Sequence, residues 1–225
     1  MKRKIAIVIT NRANFARIKS LLIKANQSKK INLKIILCGS ALTHNYGNLE
    51  KELIKNNLKI SEKSFFLLEG SEIINQAKTT GIAIVELSNI FAKLKPDLVL
   101  TIGDRYETMA TAISAVYQNI PLAHIQGGEV SGNLDEFVRH SITKLSSYHF
   151  ATSKKSYERI IKMGENRNRV FFTGCPGMDI LKKVKKMDLR KEIRTINFTG
   201  KNIEINKPYI VIVNHPDSTK NEKIN

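Results

Sequence analysis

Acidic, basic and amide side chains are concentrated in the stretch HIQGGEVSGNLDE, which runs from residue 124 to residue 136. It holds three carboxylates, one imidazole, two amides and three glycines, and it continues an apolar run, PLAHI. Positioned carboxylates can remove and deliver protons, and glycines allow a close approach to the backbone. The stretch is therefore the first candidate for a chemical site.

Polar residues also follow four other apolar runs, in the sequences TNRANF, GSALTHNYG, TIGDRYE and NHPDST. In open parallel sheets, ligands bind beyond the carboxyl ends of the strands, where the free N–H groups of helix N-termini face a crevice. Arg12 and Arg105 stand beside predicted strand ends and suit an anionic ligand. Together the clusters favour carboxylate chemistry on an anionic substrate.

Helix capping is the alternative explanation for several of these acids. Asp104 with Glu107, and Asn133 with Glu136, have the three-residue spacing of a capping box. Acids in a first helical turn are also favourable by about 0.3–1 kcal/mol, because the helix N-terminus carries partial positive charge. Capping explains neither the adjacent glycine pair nor Glu129, which precedes the predicted helix.

The histidines lack the spacing of a metal site, since no HxxH or HxxxH occurs. GxGxxG, GxxxxGK[ST] and GxSxG are also absent, so a nicotinamide, P-loop or serine-hydrolase prediction has no motif behind it. His140 fits a polar helix face and a ligand contact equally well, whereas His149 begins a strand and is predicted to be structural. We expect neither a metal nor a cofactor.

Apolar runs and amphipathic stretches alternate along the chain, which predicts an α/β protein with a doubly wound, Rossmann-like parallel sheet. The predicted strands are Ile5–Thr10, Leu33–Cys38, Ser64–Leu67, Leu98–Ile102, Leu122–Ile125, His149–Ala151 and Val170–Phe172. The predicted helices are Phe15–Gln27, Leu49–Asn57, Ile73–Leu94, Tyr106–Tyr117, Leu134–Leu145 and Ser156–Met163.

The end of the chain departs from this alternation. Residues 1–185 are predicted to form the Rossmann-like domain, and residues 186–207 are a polar, lysine-rich linker. Within residues 208–225, PYIVIV predicts another buried strand, Tyr209–Val213, with no helix to cover it. We therefore expect the chain to contain only the start of a second α/β domain.

The net charge is +17, from 37 Lys and Arg against 20 Asp and Glu. The lysines are scattered and no nucleic-acid motif accompanies them, so we expect no nucleic-acid partner. Cys38 and Cys175 are far apart without a CxxC, which predicts a reduced, cytoplasmic protein. No window approaches the roughly 20 apolar residues of a membrane span, so a membrane partner is not expected either.

The run GDRYETMATAISAVYQNIPLAHIQGGEVSGNLDEFVRHSITKLSSYHF resembles the UDP-N-acetylglucosamine 2-epimerase family, in its hydrolysing, sialic-acid-type branch. GDR, HIxGGExSG, DE and RHxITKL occur in order, and a weaker likeness covers ITNRANF, GSALTHNYGN, FTGCPGMD and PYIVIVNHP. The non-hydrolysing branch shows a threonine after GD and an HVEAG turn, which Arg105 and the GGE sequence do not match.

The resemblance implies a two-domain GT-B fold with a nucleotide sugar between the domains, and no metal or nicotinamide. It implies that UDP-N-acetylglucosamine and water become UDP and N-acetylmannosamine, by anti elimination of UDP to a glycal and then hydration. This reaction belongs to surface-polysaccharide or nonulosonate synthesis. The C2 proton is scarcely acidic, so the reaction needs a positioned base, a cationic clamp on the leaving diphosphate and an acid. A homo-oligomer is also implied for the full-length protein.

Carried over by position, the resemblance assigns catalytic roles to Asp104 and Asp135. Arg12, Arg105 and His215 match residues that contact the nucleotide.

Three departures from the family pattern affect this assignment. Asn11, Asn14 and Phe15 replace a threonine, an acid and a tyrosine in the first loop, and Ala41 stands where a histidine is usual. The family's catalytic glutamate falls on Gln126, which cannot carry a proton.

Two explanations for Gln126 remain open. In one, Glu129 or the two aspartates take over the proton work, on the same or a related 2-acetamido sugar nucleotide, with Gln126 and His140 among the substrate-binding residues. In the other, catalysis is impaired or lost. A non-catalytic nucleotide-sugar-binding paralogue and a GT-B glycosyltransferase are accordingly the alternatives to an epimerase. We also expect the 225-residue chain to be inactive by itself, because the family's second domain supplies much of the nucleotide pocket.

Overall fold

The computed structural model describes residues 1–43, 49–70 and 72–181, together with residues 208, 210 and 212. The chain divides into two units, Met1–Ile180 and Leu181–Asn225. His215, the predicted linker and most of the predicted strand Tyr209–Val213 lie outside the described residues. The predicted boundary at residue 185 stays a prediction.

Seven strands form one sheet in the first unit, and every pairing is parallel. The strands are β1 (Arg3–Ile9), β2 (Ile31–Cys38), β3 (Ile60–Ser64), β4 (Leu98–Ile102), β5 (Leu122–Ile125), β6 (Tyr148–Ala151) and β7 (Val170–Phe172). Their spatial order is β3-β2-β1-β4-β5-β6-β7. The predicted doubly wound α/β fold is confirmed.

Helices connect the successive strands. They are α1 (Arg12–Gln27), α2 (Leu49–Lys55), α3 (Ile73–Leu94), α4 (Tyr106–Val116), α5 (Leu134–Leu145), α6 (Lys154–Lys162) and a short α7 (Met178–Leu181). Helix α3 ends at Leu94, and its C-cap residue Lys95 has a left-handed backbone (φ 46°), immediately before the proline that cannot continue a helix. No helix among the described residues is long and apolar enough to cross a membrane.

Side chains of β1 alternate between the two faces of the sheet, as the two-residue period of a strand requires. Ala6 and Val8 belong to one buried cluster, while Ile7 and Ile9 belong to the cluster on the other face. Apolar residues on both sides explain why the strands read as continuous apolar runs. Because the strands are parallel and packed on both faces, their carboxyl ends lie together at one edge of the sheet.

Strand β1 lies at the point where the strand order reverses. The chain passes from β1 to β2 and β3 on one side, and then crosses to β4 on the other side of β1. Loops that leave neighbouring strands in opposite directions open a crevice at the carboxyl edge, which is the usual ligand site of doubly wound sheets. The loops after β1, β4 and β5 carry the polar clusters found in the sequence.

Several element bounds differ from the predicted ones by a few residues, and for two of them the structure shows the reason. Helix α1 starts at Arg12 instead of Phe15, because the Asn11 side chain accepts a hydrogen bond from the Asn14 N–H (2.8 Å) and caps the helix. Strand β3 is Ile60–Ser64, not Ser64–Leu67. Phe66 is buried in the loop after β3, so the apolar signal there came from packing and not from strand pairing.

Candidate active site

Arg139 lies at the centre of the polar clusters, although it belongs to helix α5. Its Nε donates to Asp104 Oδ2 (2.8 Å), and its Nη2 also donates to that oxygen. The Arg139 side chain is 6% exposed and that of Asp104 is 20% exposed. A buried ion pair of this kind fixes the orientation of both groups, because separating them would leave a desolvated charge. The loop after β4 is therefore tied to α5.

The same guanidinium also holds the loop after β5. Arg139 Nη1 donates to the Glu129 backbone oxygen (2.7 Å), and Nη2 donates to Ser131 Oγ (3.3 Å). The Glu129 carboxylate accepts a hydrogen bond from the Thr152 hydroxyl, at the end of β6. Asp104 and Glu129, both predicted as catalytic, are thus brought to one arginine. Asp135 lies half-buried in the first turn of α5.

The glycine pair, Gly127 and Gly128, allows this loop to lie close to two helices of the same chain. A Cβ on Gly128, whose φ is +74°, would lie 2.5 Å from the Ser156 backbone oxygen. A Cβ on Gly127 would lie 2.8 Å from Thr143 Oγ1. Neither position has room for a side chain, so these glycines let the loop pack against α5 and α6.

His124 lies in β5, immediately before this loop, and is fully buried. Its Nε2 lies 2.9 Å from the Gly103 carbonyl oxygen and its Nδ1 lies 3.2 Å from Thr143 Oγ1. Burial lowers the pKa of His124 to about 4, so the ring is neutral at pH 7. A carbonyl oxygen only accepts, so the ring proton must be on Nε2, and Nδ1 competes for the single Thr143 hydroxyl proton with the Arg139 carbonyl oxygen, which lies 3.0 Å from Thr143 Oγ1. His124 is a positioning group, not an acid or base.

The two predicted capping boxes are wrong in their contacts. Glu107 is fully buried and accepts from Arg105 Nε (3.1 Å) instead of capping α4, and Asp104 pairs with Arg139. Partial burial lowers the pKa of Arg105, but the neighbouring Glu107 carboxylate raises it, and the pKa of Arg105 is raised overall. Arg105 is about half exposed and keeps one face available to a ligand.

In the second box, Glu136 accepts from the N–H groups of Ser131 and Gly132 (both 2.7 Å), two residues that precede the helix cap. These backbone hydrogen bonds, Gly132 first, lower the pKa of Glu136. Glu136 Oε1 also lies 3.7 Å from His140 Nε2. Glu136 therefore shapes the turn that leads into α5, and His140 neighbours that carboxylate.

The first loop uses its asparagines for structure. Asn14 accepts from Thr10 Oγ1 (2.8 Å) and donates to the Ile102 carbonyl oxygen (3.4 Å), which links the ends of β1 and β4. Arg12 is the exposed first residue of α1. Ala41 is buried and its N–H donates to the Thr10 carbonyl oxygen (3.0 Å).

Gln126 is engaged on both sides of its amide. Its Oε1 accepts from Arg17 Nη1 (2.9 Å), and its Nε2 lies 3.7 Å from Cys175 Sγ. Its backbone φ is +67°, and its N–H donates to the Phe150 carbonyl oxygen (3.1 Å). Gln126 thus connects α1 to the segment that follows β7.

The structure brings Asp104, Glu129 and Gln126 to the carboxyl edge, with Arg12 at the start of α1 and Arg105 at the N-cap of α4. Sequence reasoning missed Arg139, Thr152 and Arg17; the RHxITKL motif contained the first of them. His149 is buried and lies 3.3 Å from Glu165, in agreement with its predicted structural role. Within the described part of the chain, no group of three or more His, Cys, Asp or Glu residues could hold a metal ion.

The sheet order and the acid-lined carboxyl edge define a Rossmann-like α/β protein of the kind that binds ligands at its switch point. Residues 23–225 match the model of the family described as UDP-N-acetylglucosamine 2-epimerase. The chain belongs to this family.

Two curated relatives are similar to the chain. It is 38% identical over 185 residues to the UDP-N,N'-diacetylbacillosamine 2-epimerase (hydrolyzing) of Legionella pneumophila, which covers 82% of this chain and 49% of that protein. It is 34% identical over 219 residues to the GDP/UDP-N,N'-diacetylbacillosamine 2-epimerase (hydrolyzing) of Campylobacter jejuni, covering 96% of this chain and 55% of that one. The chain spans about half the length of these relatives.

A solved structure shares the fold. The UDP-GlcNAc 2-epimerase from Neisseria meningitidis bound to UDP-GlcNAc has a TM-score of 0.70 and 23% identity, and the match covers 85% of this chain and 53% of that one. The similarity supports a Rossmann-like half of a GT-B fold.

Proposed function

We propose that this chain is part of a hydrolysing 2-epimerase that acts on a UDP-linked 2-acetamido sugar in surface-polysaccharide or nonulosonate synthesis. The reaction would convert the UDP-sugar and water into UDP and the free sugar epimerised at C2. The observation that carries the proposal is Arg139, which holds the predicted catalytic Asp104 and the loop of Glu129 on one guanidinium at the carboxyl edge.

In the proposed elimination, a base takes the C2 proton, the C2–H electron pair forms the C1=C2 double bond of a glycal, and the C1–O bond breaks with its electron pair leaving on UDP. In the hydration, water adds its hydroxyl to C1 and a proton returns to C2 on the opposite face. Both proton transfers need a group that changes protonation within hydrogen-bond reach of C2. The glutamine at 126 cannot serve, which leaves Glu129, Asp104 and Asp135.

The contacts of these acids suggest a division of roles. Asp104 Oδ2 accepts two guanidinium N–H groups, so this oxygen is held against Arg139. The Glu129 carboxylate accepts from a neutral hydroxyl. We assign proton transfer to Glu129 together with Asp135, and we assign to Asp104 the orientation of Arg139 and of the sugar. Arg12, Arg105 and His215 would bind the diphosphate, with Gln126 and His140 beside the sugar.

Two sugar nucleotides are candidates for the substrate. The relative from Legionella is named for UDP-N,N'-diacetylbacillosamine and that from Campylobacter for GDP/UDP-N,N'-diacetylbacillosamine, and the Neisseria structure holds UDP-GlcNAc. We propose the diacetamido sugar as the preferred substrate, because the relative with the higher identity is named for it. We further propose a cytoplasmic homo-oligomer.

The test uses a protein that contains this chain together with the remaining length found in its relatives. Incubation in D₂O with each UDP-sugar should place deuterium at C2 of the free sugar and release UDP. Glu129→Gln should reduce kcat by about 10²-fold or more, the usual contribution of a general acid or base. Glu136→Gln, which changes an acid in the first turn of α5, is the matched control and should retain most activity, because the amide oxygen can still accept from the Ser131 and Gly132 N–H groups.

A non-catalytic paralogue is the second candidate, and the glutamine at 126 favours it. Tight UDP-sugar binding with no UDP release would support that alternative. UDP release only with an added acceptor, and no deuterium at C2, would indicate a glycosyltransferase instead.

A further inference from the structure

We propose that Gln126 is a positioning residue, and that it holds Arg17 at the carboxyl edge as a cation for the diphosphate of the ligand. The anion is the one implied by the proposed function, so the inference deepens that proposal. It also gives a physical reason for a glutamine at a position where the family has a glutamate.

Gln126 is a fixed acceptor. It is 7% exposed, its backbone N–H is bonded to Phe150 O, and its amide lies between Arg17 Nη1 and Cys175 Sγ. Arg17, by contrast, is exposed on α1. The hydrogen bond of 2.9 Å therefore restrains the long, flexible side chain of Arg17, because it ties the guanidinium to the buried amide of Gln126. Restraint of this kind lowers the entropy lost when a ligand binds.

The charge of its partner distinguishes Arg17 from two other arginines of the site, Arg105 and Arg139. Arg105 is paired with the Glu107 carboxylate, and Arg139 is paired with Asp104. The described partner of the Arg17 guanidinium is a neutral amide oxygen, and no ion pair of Arg17 occurs within the described part of the chain. An exposed cation beside a ligand crevice, held by a group without charge, keeps its full attraction for an anion.

A glutamate at 126 would change this balance. It would form an ion pair with Arg17 at the same distance, and the pair would present no net charge to a diphosphate. With a glutamine at 126 the site lacks one carboxylate that could carry a proton, but the positive charge of Arg17 is not neutralised. Positive charge stabilises the departing UDP as the C1–O bond breaks. Proton transfer is then left to Glu129 and Asp135, as proposed above.

The experiment measures binding of UDP and of inorganic pyrophosphate to the 225-residue chain by calorimetry and by NMR titration. Arg17→Met should weaken the binding of both probes about tenfold, the value of one charge-assisted contact. Gln126→Met, which keeps the size but cannot accept a hydrogen bond, should weaken binding about threefold. Lys24→Met removes an exposed charge two turns further along α1 and should bind as the wild type does.

The double variant Arg17→Met/Gln126→Met separates positioning from general damage. If Gln126 acts through Arg17, the double variant should bind no more weakly than Arg17→Met alone. Additive losses would overturn the positioning role of Gln126, because a structural defect weakens binding whether or not Arg17 is present.

The remaining outcomes separate this inference from the proposed function. UDP binding that is unchanged in Arg17→Met overturns the inference and leaves the proposed function intact. Arg17-dependent binding of pyrophosphate with no preference for UDP supports the inference and counts against nucleotide recognition. A wild-type chain that binds neither probe at millimolar concentration overturns the inference, because Arg17 then holds no anion.

Discussion

Arg139 makes the contacts that define the site, since its guanidinium reaches Asp104, the Glu129 backbone and Ser131. Each donor of a planar guanidinium has a fixed direction, so three bonded groups also fix one another. The acids of the site are therefore positioned by an arginine that lies 35 residues from Asp104 along the sequence. Loss of Arg139 should therefore affect both the stability of the chain and the proposed activity.

Replacing Arg139 by Met should lower the free energy of unfolding by about 3–5 kcal/mol, because the half-buried Asp104 carboxylate loses its counter-charge. Urea unfolding monitored by circular dichroism measures the change. Lys93→Met breaks the exposed ion pair with Glu62 (2.8 Å) and should cost at most about 1 kcal/mol. Adding Asp104→Asn to Arg139→Met should recover part of the loss; equal stability of the single and double variants would contradict the explanation.

The neutral ring of His124 predicts a specific pH dependence. Its pKa is about 4 in the folded chain and about 6.5 in the unfolded chain, so the unfolded state binds the extra proton between these values. The titration of His124 should leave the free energy of unfolding unchanged above about pH 6.5 and should lower it by roughly 3 kcal/mol as the pH drops to about 4. His124→Gln should flatten this slope in urea unfolding series. His149, whose pKa burial also lowers, is retained in both proteins, so identical slopes would exclude His124 as the cause.

Helix α6 docks on the loop after β5 through a glycine, and this contact can be tested with a matched pair. Gly128 and Gly132 have similar positive φ angles, +74° and +72°, but a Cβ would clash at Gly128 and meets nothing within 4 Å at Gly132. Gly132→Ala should cost about 1 kcal/mol from backbone strain alone. Gly128→Ala should cost at least about 3 kcal/mol, because the Ser156 backbone must also move. Equal urea midpoints for the two variants would show that α6 moves aside freely.

The elements themselves were largely predictable, because periodicity and helix breakers are local signals. Helices α3 and α5 and strands β4, β5 and β7 have the predicted bounds. The partners of individual side chains were not. Asp104 and Glu107 have capping-box spacing, yet each is bonded to an arginine, and Gln126 meets a residue 109 positions away. Such contacts depend on which strands become neighbours, which spacing along the sequence does not specify.

Across the whole molecule, strand order and charge act together at the crevice. The reversal at β1 brings the ends of β1 and β4 to one edge, where Arg12 begins α1 and Arg105 is the N-cap residue of α4. A chain with a net charge of +17 also attracts anions from a distance, which raises the rate at which a charged ligand arrives. The same excess of positive charge repels itself in the folded state.

That self-repulsion predicts a stability that rises with salt. The exposed ion pairs of the first unit, such as Lys63 with Glu50 (2.7 Å), are each worth about 0–1 kcal/mol, so screening them costs little. The chain has 37 basic and only 20 acidic side chains, so the repulsion among its positive charges is spread over the whole folded chain. Salt weakens this repulsion, because the Debye length shortens from about 30 Å at 0.01 M to about 10 Å at 0.1 M salt. The urea midpoint should therefore increase between these NaCl concentrations. Acetylation of surface lysines, which removes positive charge, should reduce this increase; a midpoint that falls with salt would mean that ion pairs outweigh the net charge.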